Sequence, residues 1–289
     1  APKGAEFKQY VPEMLTYCIT PENKVLNTNL DWVEARTLKV GDNILGFDEY
    51  SQENRSGRRY KTSKVEWIDY ETTDVYEVEL SSGKKIKTTK EHRWLIAQKN
   101  HKGNSLKWVE TQNLQSRDSY GKGCSKVPRL LNVWEQDFDR EAGWLAGMFD
   151  GEGNISKHWF RVSIAQRPTK TMDKLEYLLN EKGFKVSKRF VKKDSDCLSL
   201  SMQGCAGDRL EFLGKIKPHR LIENFNFEML GRVEARLGKE DVISVKYVGK
   251  EQIIKIQTDS RTFVCEGYPM HNCIGDTDTN KHAFFSLLG

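Results

Sequence analysis

The sequence predicts an all-β fold with internal pseudo-twofold symmetry, interrupted by a separate α/β domain. Residues 31–42 recur as residues 107–118, with Trp, Val, Glu, Leu and Asp in register. A looser pair, residues 75–80 and 253–258, alternates apolar and polar side chains as half-buried strands do. Between residues 133 and 238 the pattern changes to short helices and strands. The β fold therefore has its last strands far away in sequence from its first ones.

The interruption has its own predicted order of helix, strand, strand, helix, strand, strand, helix. Apolar residues at helical spacing, such as Met172, Leu175 and Leu179, mark its second helix. Predicted helices cover residues 141–149, 172–180 and 208–216, and alternating runs cover residues 159–166, 184–190 and 197–202. This arrangement, αββαββα, is that of an independent α/β domain.

Composition sets the broad class of protein. The chain has 289 residues, of which 37% are hydrophobic and 30% charged, which is enough for about two globular domains. No apolar run approaches the roughly 18 residues of a membrane span, and the first ten residues have no signal-peptide pattern. Six cysteines without a CxxC pair predict neither a zinc site nor a disulfide framework. We expect a cytoplasmic protein without a membrane partner.

Positive charge is concentrated in one part of the interruption. The net charge of the chain is +5, yet residues 156–193 contain 11 Lys or Arg against 3 Asp or Glu. Such a run is either a solvated face or a phosphate-binding surface.

Three short motifs carry candidate chemistry: Cys18, the run Thr89 to His92, and the tripeptide His271-Asn272-Cys273. An asparagine amide can attack its own carbonyl, and a neighbouring imidazole can transfer the protons that this requires. Cys18 and Cys273 are thiol nucleophiles at the two ends of one segment. The tripeptide alone is more often an ordinary loop, and the alternative for His92 alone is a structural histidine next to Trp94.

Taken in this order, Cys, TxxH and HNC resemble an intein, a protein-splicing element with a horseshoe-shaped Hint fold. The resemblance implies a splicing domain made of residues 18–132 and 239–272. Residues 1–17 and 273–289 would then be extein flanks, and residues 133–238 an inserted domain.

The resemblance also implies a role for each residue, with no cofactor for splicing. Cys18 attacks the preceding carbonyl in an N-to-S acyl shift, and the site must twist or polarise that amide because a thioester is less stable. His92, with Thr89 in the TxxH element, protonates the departing nitrogen. Cys273 then takes the acyl group by thiol exchange.

At the other junction, Asn272 cyclises with help from His271 and releases the segment. Inteins often carry an aspartate in the strand before the terminal hairpin, and its equivalent here is Lys255. Either Asp259 or no group fills that role.

Residues 143–153, GWLAGMFDGEG, resemble the LAGLIDADG motif of homing endonucleases. Gly143, Gly147 and Gly151 recur every four residues and share a helix face, which another backbone could approach closely. Because the chain has one copy of the motif, we expect a homodimer through the helix around Gly147, acting on a near-palindromic site.

Glu152 and Asp150 lie at the end of this helix, where the helix dipole disfavours anions unless a cation is bound. The resemblance implies that they hold Mg²⁺ for phosphodiester hydrolysis, with Glu152 as a catalytic residue. Alternating strands place basic residues over double-stranded DNA. The expected DNA contacts are Arg161, Arg167, Lys185 and Arg189.

Two further interpretations stay open. Joined across the segment, the flanks give an apolar run leading into GDTD, which resembles the metal-binding turn of family B DNA polymerases and points to such a host. The alternative to splicing is a standalone DNA-binding protein or nuclease with a non-splicing β module. A splicing element whose nuclease no longer cuts is a third possibility.

Overall fold

The structure is a computed structural model that describes residues 18–51, 57–100, 103–118, 123–156, 160–190, 196–233 and 237–272. The strands are β1 Lys24–Leu26, β2 Trp32–Glu34, β3 Asn43–Phe47, β4 Tyr60–Leu80, β5 Lys85–Thr88, β6 Arg93–Asn100, β7 Gly103–Glu110, β8 Lys126–Pro128, β9 Gly153–Ser156, β10 Arg161–Gln166, β11 Val186–Phe190, β12 Leu198–Met202, β13 Lys239–Thr258, β14 Thr262–Cys265 and β15 Tyr268–His271. The α-helices are α1 Arg140–Glu152, α2 Lys170–Glu181, α3 Ala206–Ile216 and α4 His219–Glu223.

An 11-stranded sheet contains every strand outside residues 140–223. Its order is β2-β1-β14-β15-β6-β8-β13-β4-β3, with β5 added to β4 and β7 to β6. The two longest strands, β4 and β13, run antiparallel with three register shifts. Register shifts of this kind bend and twist a strand pair. The pair β4–β13 is bordered by β3 on one side and by β8 on the other. The described residues are mostly β with few helices, and Ile254 of β13 pairs with Ile19, which follows Cys18.

The first repeat adopts the same local structure twice. In residues 31–42 the strand β2 leads into a 3-10 helix, Ala35–Thr37, and in residues 107–118 the strand β7 leads into a 3-10 helix, Thr111–Asn113. The amide of Ala35 donates to the carbonyl of Asn23 at 2.8 Å, and the amide of Thr111 donates to the carbonyl of His92 at 2.8 Å. Asn23 and His92 therefore occupy corresponding positions.

This correspondence exposes another repeat that the sequence analysis missed. Thr20 to Asn23 reads TPEN, and Thr89 to His92 reads TKEH. Both turns close in the same way: the amide of Asn23 donates to the carbonyl of Thr20 at 3.1 Å, and the amide of His92 donates to that of Thr89 at 3.2 Å. The TxxH element is thus one of two equivalent turns, and only one of them carries an imidazole.

The elements between residues 140 and 216 follow the predicted order of helix, strand, strand, helix, strand, strand, helix. The helix α1 is longer than the predicted residues 141–149 and ends at Glu152. Strands β9 to β12 form a separate four-stranded sheet in the order β11-β12-β10-β9. The short helix α4 was not predicted, because five residues are too few to show a helical period.

The two sheets share one hydrophobic cluster. Leu26 and Trp32 from the large sheet belong to the same core as Phe149 from α1 and Phe212 from α3. Trp134 joins the two parts: its indole N–H donates to the carbonyl of Leu30 at 3.1 Å, and its ring meets Trp32 edge-on at 5.4 Å.

Gly214 on α3 provides the space for this indole. A methyl group built on Gly214 would lie 2.0 Å from Nε1 of Trp134. We expect Gly214→Ala to destabilise the fold by about 1 to 3 kcal/mol, because the indole must move and lose its hydrogen bond. Urea unfolding measures this change.

Gly143→Ala is the matched control, since a methyl group on Gly143 would meet no atom within 4 Å. Removing a glycine from a helix interior should stabilise the fold by up to about 1 kcal/mol. Equal unfolding midpoints for the two variants would contradict the conclusion that the indole of Trp134 packs against Gly214 and links the two parts of the core.

Among the helices in the described ranges, none combines the length and apolar character of a membrane span.

Candidate active site

Thr89 holds both backbone polar groups of Cys18. The amide N–H of Cys18, which belongs to the bond between residues 17 and 18, donates to Oγ1 of Thr89 at 3.2 Å. The amide of Thr89 donates in turn to the carbonyl of Cys18 at 3.1 Å. Residues 1–17 lie outside the described residues. The predicted TxxH element therefore lies directly against the predicted N-terminal junction.

Cys18 is fully buried in an apolar setting. It packs with Val75 and Ile253. The next residue, Ile19, accepts the amide of Ile254 at 2.9 Å and also pairs with Thr88. Ile19, the residue after the predicted N-terminal junction, therefore lies between β5 and β13.

His92 lies between the two predicted junctions. Its imidazole is fully buried, with Nε2 at 3.1 Å from Sδ of Met270 and the ring edge-on to Trp94 at 6.1 Å between centroids. Met270 immediately precedes His271. The role of His92 as an acid at Cys18 stays a prediction.

Lys255 contributes a half-buried positive charge that interacts electrostatically with Cys18. It shares a strand face with Ile253, which contacts Cys18, because side chains alternate along β13. Its ammonium contacts Glu71 at 2.5 Å and Asp69 at 4.0 Å, and its side chain is 12% exposed. Burial alone would lower the pKa of Lys255, but the hydrogen bond and charge of Glu71, with the charges of Cys18 and Asp69, outweigh it and raise the pKa.

Asp259 does not supply the carboxylate considered for the neighbourhood of Cys18. Its Oδ1 accepts hydrogen bonds from the hydroxyl of Ser63 at 2.9 Å and the amide of Lys64 at 3.1 Å. It follows Thr258, at the other end of the strand segment that begins beside Ile19. Lys255, which carries a positive charge, is the residue of the two that interacts electrostatically with Cys18.

Thr258 forms hydrogen bonds with both polar atoms of the Asn272 side chain. The amide Nδ2 of Asn272 donates to the carbonyl of Thr258 at 2.9 Å, and the hydroxyl of Thr258 donates to Oδ1 of Asn272 at 3.0 Å. The backbone amide of Asn272 donates to the carbonyl of Arg261 at 2.9 Å. Asn272 is 1% exposed, so its amide is fixed in one orientation away from water.

His271 is held at both ring nitrogens. Nδ1 lies 3.2 Å from the carbonyl oxygen of Asn272, and Nε2 lies 2.8 Å from Oε1 of Glu49. Trp108 packs edge-on against the ring with centroids 5.0 Å apart. Partial burial would raise the pKa of Glu49, but the hydrogen bond and charge of His271, with Tyr50 and Arg261, outweigh it and lower the pKa.

Sequence reasoning found His271 and Asn272 but missed Glu49 and Thr258. Neither belongs to a motif, and Glu49 lies 222 residues from His271. The weak signal for Thr258 was its place at the end of the second repeat, residues 253–258.

One strand connects the two predicted junctions. Ile254 binds the residue after Cys18, and Thr258 binds Asn272. Four residues of strand span about 13 Å at roughly 3.3 Å per residue. Cys273 lies outside the described residues, so its expected thiol exchange stays a prediction.

At the end of α1, the carboxylate of Asp150 caps the short helix α4. It accepts the amides of His219 at 3.1 Å and Arg220 at 2.9 Å. The guanidinium of Arg220 donates to the carbonyls of Phe149 at 3.1 Å and Gly153 at 2.6 Å. Arg220 thus already supplies positive charge to the negative end of the helix dipole, which therefore gives no independent support for a metal.

Glu152 is exposed beside this cap. In the described part of the chain, no group of three or more His, Cys, Asp or Glu side chains could hold a metal ion. Magnesium at Glu152 and Asp150 stays a prediction.

The glycine face of α1 is open. A methyl group built on Gly143, Gly147 or Gly151 would meet no atom within 4 Å. The expected homodimer through Gly147 is not tested by a single chain.

The four-stranded sheet has one polar face. The register pairs Ser163 with Ser201 and Ser201 with Ser187, and the buried side chains Val162 and Leu200 point to the opposite face, toward the helices. The predicted DNA contacts are all exposed: Arg161, Arg167, Lys185 and Arg189. Strand alternation puts Arg161 and Arg189 on the polar face.

Comparisons with known proteins give partial overlaps. No family model matches the chain. A segment of the Replication factor C small subunit of Methanocaldococcus jannaschii is 29% identical over 154 residues, which is 53% of this chain and 7% of that protein. This chain therefore matches only a small part of that relative's length.

Solved structures similar to this chain include inteins and an intein-like domain. The Ssp DnaB Mini-Intein variant M86 aligns over 90% of this chain and 96% of its own, with 12% identity and a TM-score of 0.41. A DnaB intein from Synechocystis sp. PCC 6803 aligns over 89% and 99%, with 11% identity and a TM-score of 0.40. An intein-like domain from Clostridium thermocellum aligns over 88% and 98%, with 11% identity and a TM-score of 0.39.

Proposed function

We propose that residues 18–272 are a self-splicing element that excises itself and joins residues 1–17 to residues 273–289. The observation that carries this proposal is the double restraint on the C-terminal junction. Thr258 fixes the amide of Asn272, and His271 lies against the carbonyl that this amide would attack. A buried nucleophile and an imidazole in contact with the reacting carbonyl form the apparatus of asparagine cyclisation.

The N-terminal reaction starts at Cys18. Its Sγ forms a bond to the carbonyl carbon of residue 17, the amide bond breaks, and the thiol proton goes to the nitrogen of Cys18. Thr89 supports this step because its Oγ1 contacts that nitrogen. We assign the final proton delivery to His92, and acceptance of the acyl group to Cys273.

The C-terminal reaction forms the bond between Nδ2 and the carbonyl carbon of Asn272. The peptide bond to Cys273 breaks, and the proton lost by Nδ2 balances the one gained by the amine of Cys273. No metal or cofactor is needed for these proton transfers. The flanking pieces then close to a normal peptide by an S-to-N shift.

Time-resolved mass spectrometry of freshly purified protein tests splicing directly. Under reducing conditions the 33.4 kDa chain should disappear while the excised segment and the joined flanks appear together. An intact chain that persists unchanged would exclude splicing and leave a standalone binding protein as the better function.

We expect Lys255→Met to slow thioester formation about tenfold at neutral pH, because the ammonium that favours the thiolate of Cys18 is lost. The loss should shrink at high pH, where the thiolate forms without help. The measurement is hydroxylamine-induced cleavage before Cys18, between pH 6.5 and 9, in an Asn272→Ala background.

Lys250→Met is the matched control, because Lys250 is an exposed residue on the same strand. Identical pH profiles for the two lysine variants would show that the charge at Lys255 does not act on Cys18.

A second candidate function is Mg²⁺-dependent cutting of double-stranded DNA by the inserted domain. The supporting observation is the polar face of the small sheet, where Arg161 and Arg189 are exposed. Glu152 is the proposed catalytic carboxylate, with a homodimer through the glycine face of α1. A family B DNA polymerase is the proposed host.

Glu152→Gln tests the nuclease on the uninterrupted host gene. It should abolish Mg²⁺-dependent cutting, whereas Glu181→Gln, an exposed control at the end of α2, should cut normally. If both variants cut DNA, Glu152 is not the catalytic carboxylate of the nuclease. No cutting by the parent chain would favour a splicing element that has lost its nuclease.

A further inference from the structure

Both ring nitrogens of His271 face oxygen atoms that accept hydrogen bonds. Nδ1 lies 3.2 Å from the carbonyl oxygen of Asn272, and Nε2 lies 2.8 Å from Oε1 of Glu49. A carbonyl oxygen can only accept a hydrogen bond, and so can a carboxylate oxygen. An imidazolium, which donates at both nitrogens, is the form of the ring that matches both contacts.

We propose that Glu49 is a positioning residue for cleavage at Asn272, whose carboxylate holds His271 as an imidazolium aimed at the reacting carbonyl oxygen. The inference rests on the proposed splicing function and extends it to a residue outside the splicing motifs. Glu49 acts through His271 and does not touch the reacting atoms in the described contacts.

The orientation of the ring suits this role. Attack by Nδ2 of Asn272 moves negative charge onto the carbonyl oxygen, and the Nδ1–H of His271 already lies 3.2 Å from that oxygen. A preorganised cationic donor at this position stabilises the transition state more than the ground state. The edge contact of Trp108 limits rotation of the ring, so Glu49 can set its tilt through one short hydrogen bond.

Several charged groups surround the pair. From the turn before β14, Nη1 of Arg261 lies 3.7 Å from Oε2 of Glu49 and keeps the carboxyl ionised. Before β4, the guanidinium of Arg58 donates to the backbone carbonyl of Glu49 at 2.9 Å. Tyr50 adds a side-chain hydrogen bond to Glu49. The carboxylate of Glu49 therefore faces His271 while Arg261 and Tyr50 help to keep it ionised.

Burial makes the pair sensitive to loss of either member. The side chain of His271 is 3% exposed and that of Glu49 is 14% exposed. An amide in place of the carboxylate keeps the shape of the side chain but cannot stabilise the imidazolium to the same degree.

A Cys18→Ala background isolates the reaction, because Asn272 cyclisation is then the expected route to release of residues 273–289. Mass spectrometry follows this release between pH 5.5 and 9. Glu49→Gln should slow it about 10- to 100-fold near neutral pH and shift the pH–rate profile to lower pH by about one unit. Glu49→Asp, which keeps the charge on a shorter side chain, should recover part of the rate and restore the profile.

Two controls separate positioning from loss of structure. Glu135→Gln removes a carboxylate that is 88% exposed and should match the Cys18→Ala parent. In an Asn272→Ala background, Glu49→Gln should leave hydroxylamine cleavage before Cys18 unchanged, which shows that the fold is intact.

An unchanged pH–rate profile for Glu49→Gln would overturn the proposal, and so would equal losses at both junctions. If the Cys18→Ala parent releases nothing at any pH, the proposed splicing function fails instead, and this outcome is distinct from a failure of Glu49.

Discussion

Cys18→Ala is expected to abolish ligation of the flanks while release of residues 273–289 continues. Alanine has no nucleophile, so the thioester before residue 18 cannot form and Cys273 has no acyl group to accept. The contacts at Asn272 do not involve Cys18. Mass spectrometry should therefore show a chain of residues 1–272, no excised segment, and no joined product.

Cys197→Ala is the matched control, a half-buried cysteine on the inserted domain beside β12. It should splice like the unmodified chain. Joined flanks from the Cys18→Ala variant would mean that another group is the nucleophile, and the assignment of Cys18 would fail.

Asn272→Ala is expected to reduce release of the C-terminal flank by more than about 1,000-fold, because no side-chain amide remains to attack the carbonyl. Thioester formation at Cys18 should continue, since Thr89 and the surrounding strands are untouched. Dithiothreitol should then free residues 1–17 from the variant. Mass spectrometry with and without the thiol measures both events.

Asn113→Ala provides the comparison, because Asn113 is an exposed asparagine of the large sheet region. It should release both flanks normally. Continued release of residues 273–289 from Asn272→Ala would show that cleavage is ordinary hydrolysis, and the cyclisation mechanism would be wrong.

Local sequence was enough to predict the order of the elements between residues 140 and 216. The repeat of residues 31–42 as 107–118 gave a strand followed by a 3-10 helix in both copies, because the same pattern of Trp, Val, Glu and Leu meets the same backbone partners. Apolar spacing also located α2 and α3. The order of Cys18, Thr89 to His92, and His271-Asn272 also identified the candidate site residues, whose chemistry stays a prediction.

Local sequence failed where long-range contacts decide. It could not show that the carboxylate of Asp150 caps the unpredicted helix α4, since His219 and Arg220 lie about 70 residues away. It identified Lys255 as the equivalent of the expected aspartate but left Asp259 open, and only the contacts with Ser63 and Lys64 show where Asp259 lies. The turn at Thr20 shares only a threonine and a glutamate with the turn at Thr89, which is too little to indicate a repeat without the matching hydrogen bonds.

The sequence by itself determined which groups can react: two thiols, an asparagine amide and two imidazoles, each identified by side-chain chemistry. Only the tertiary structure decided what controls them. Glu49 reaches His271 across 222 residues, and Thr258 reaches Asn272 from the strand that also binds the residue after Cys18. These partners are set by strand register and burial, and register depends on how the whole sheet packs rather than on any short motif.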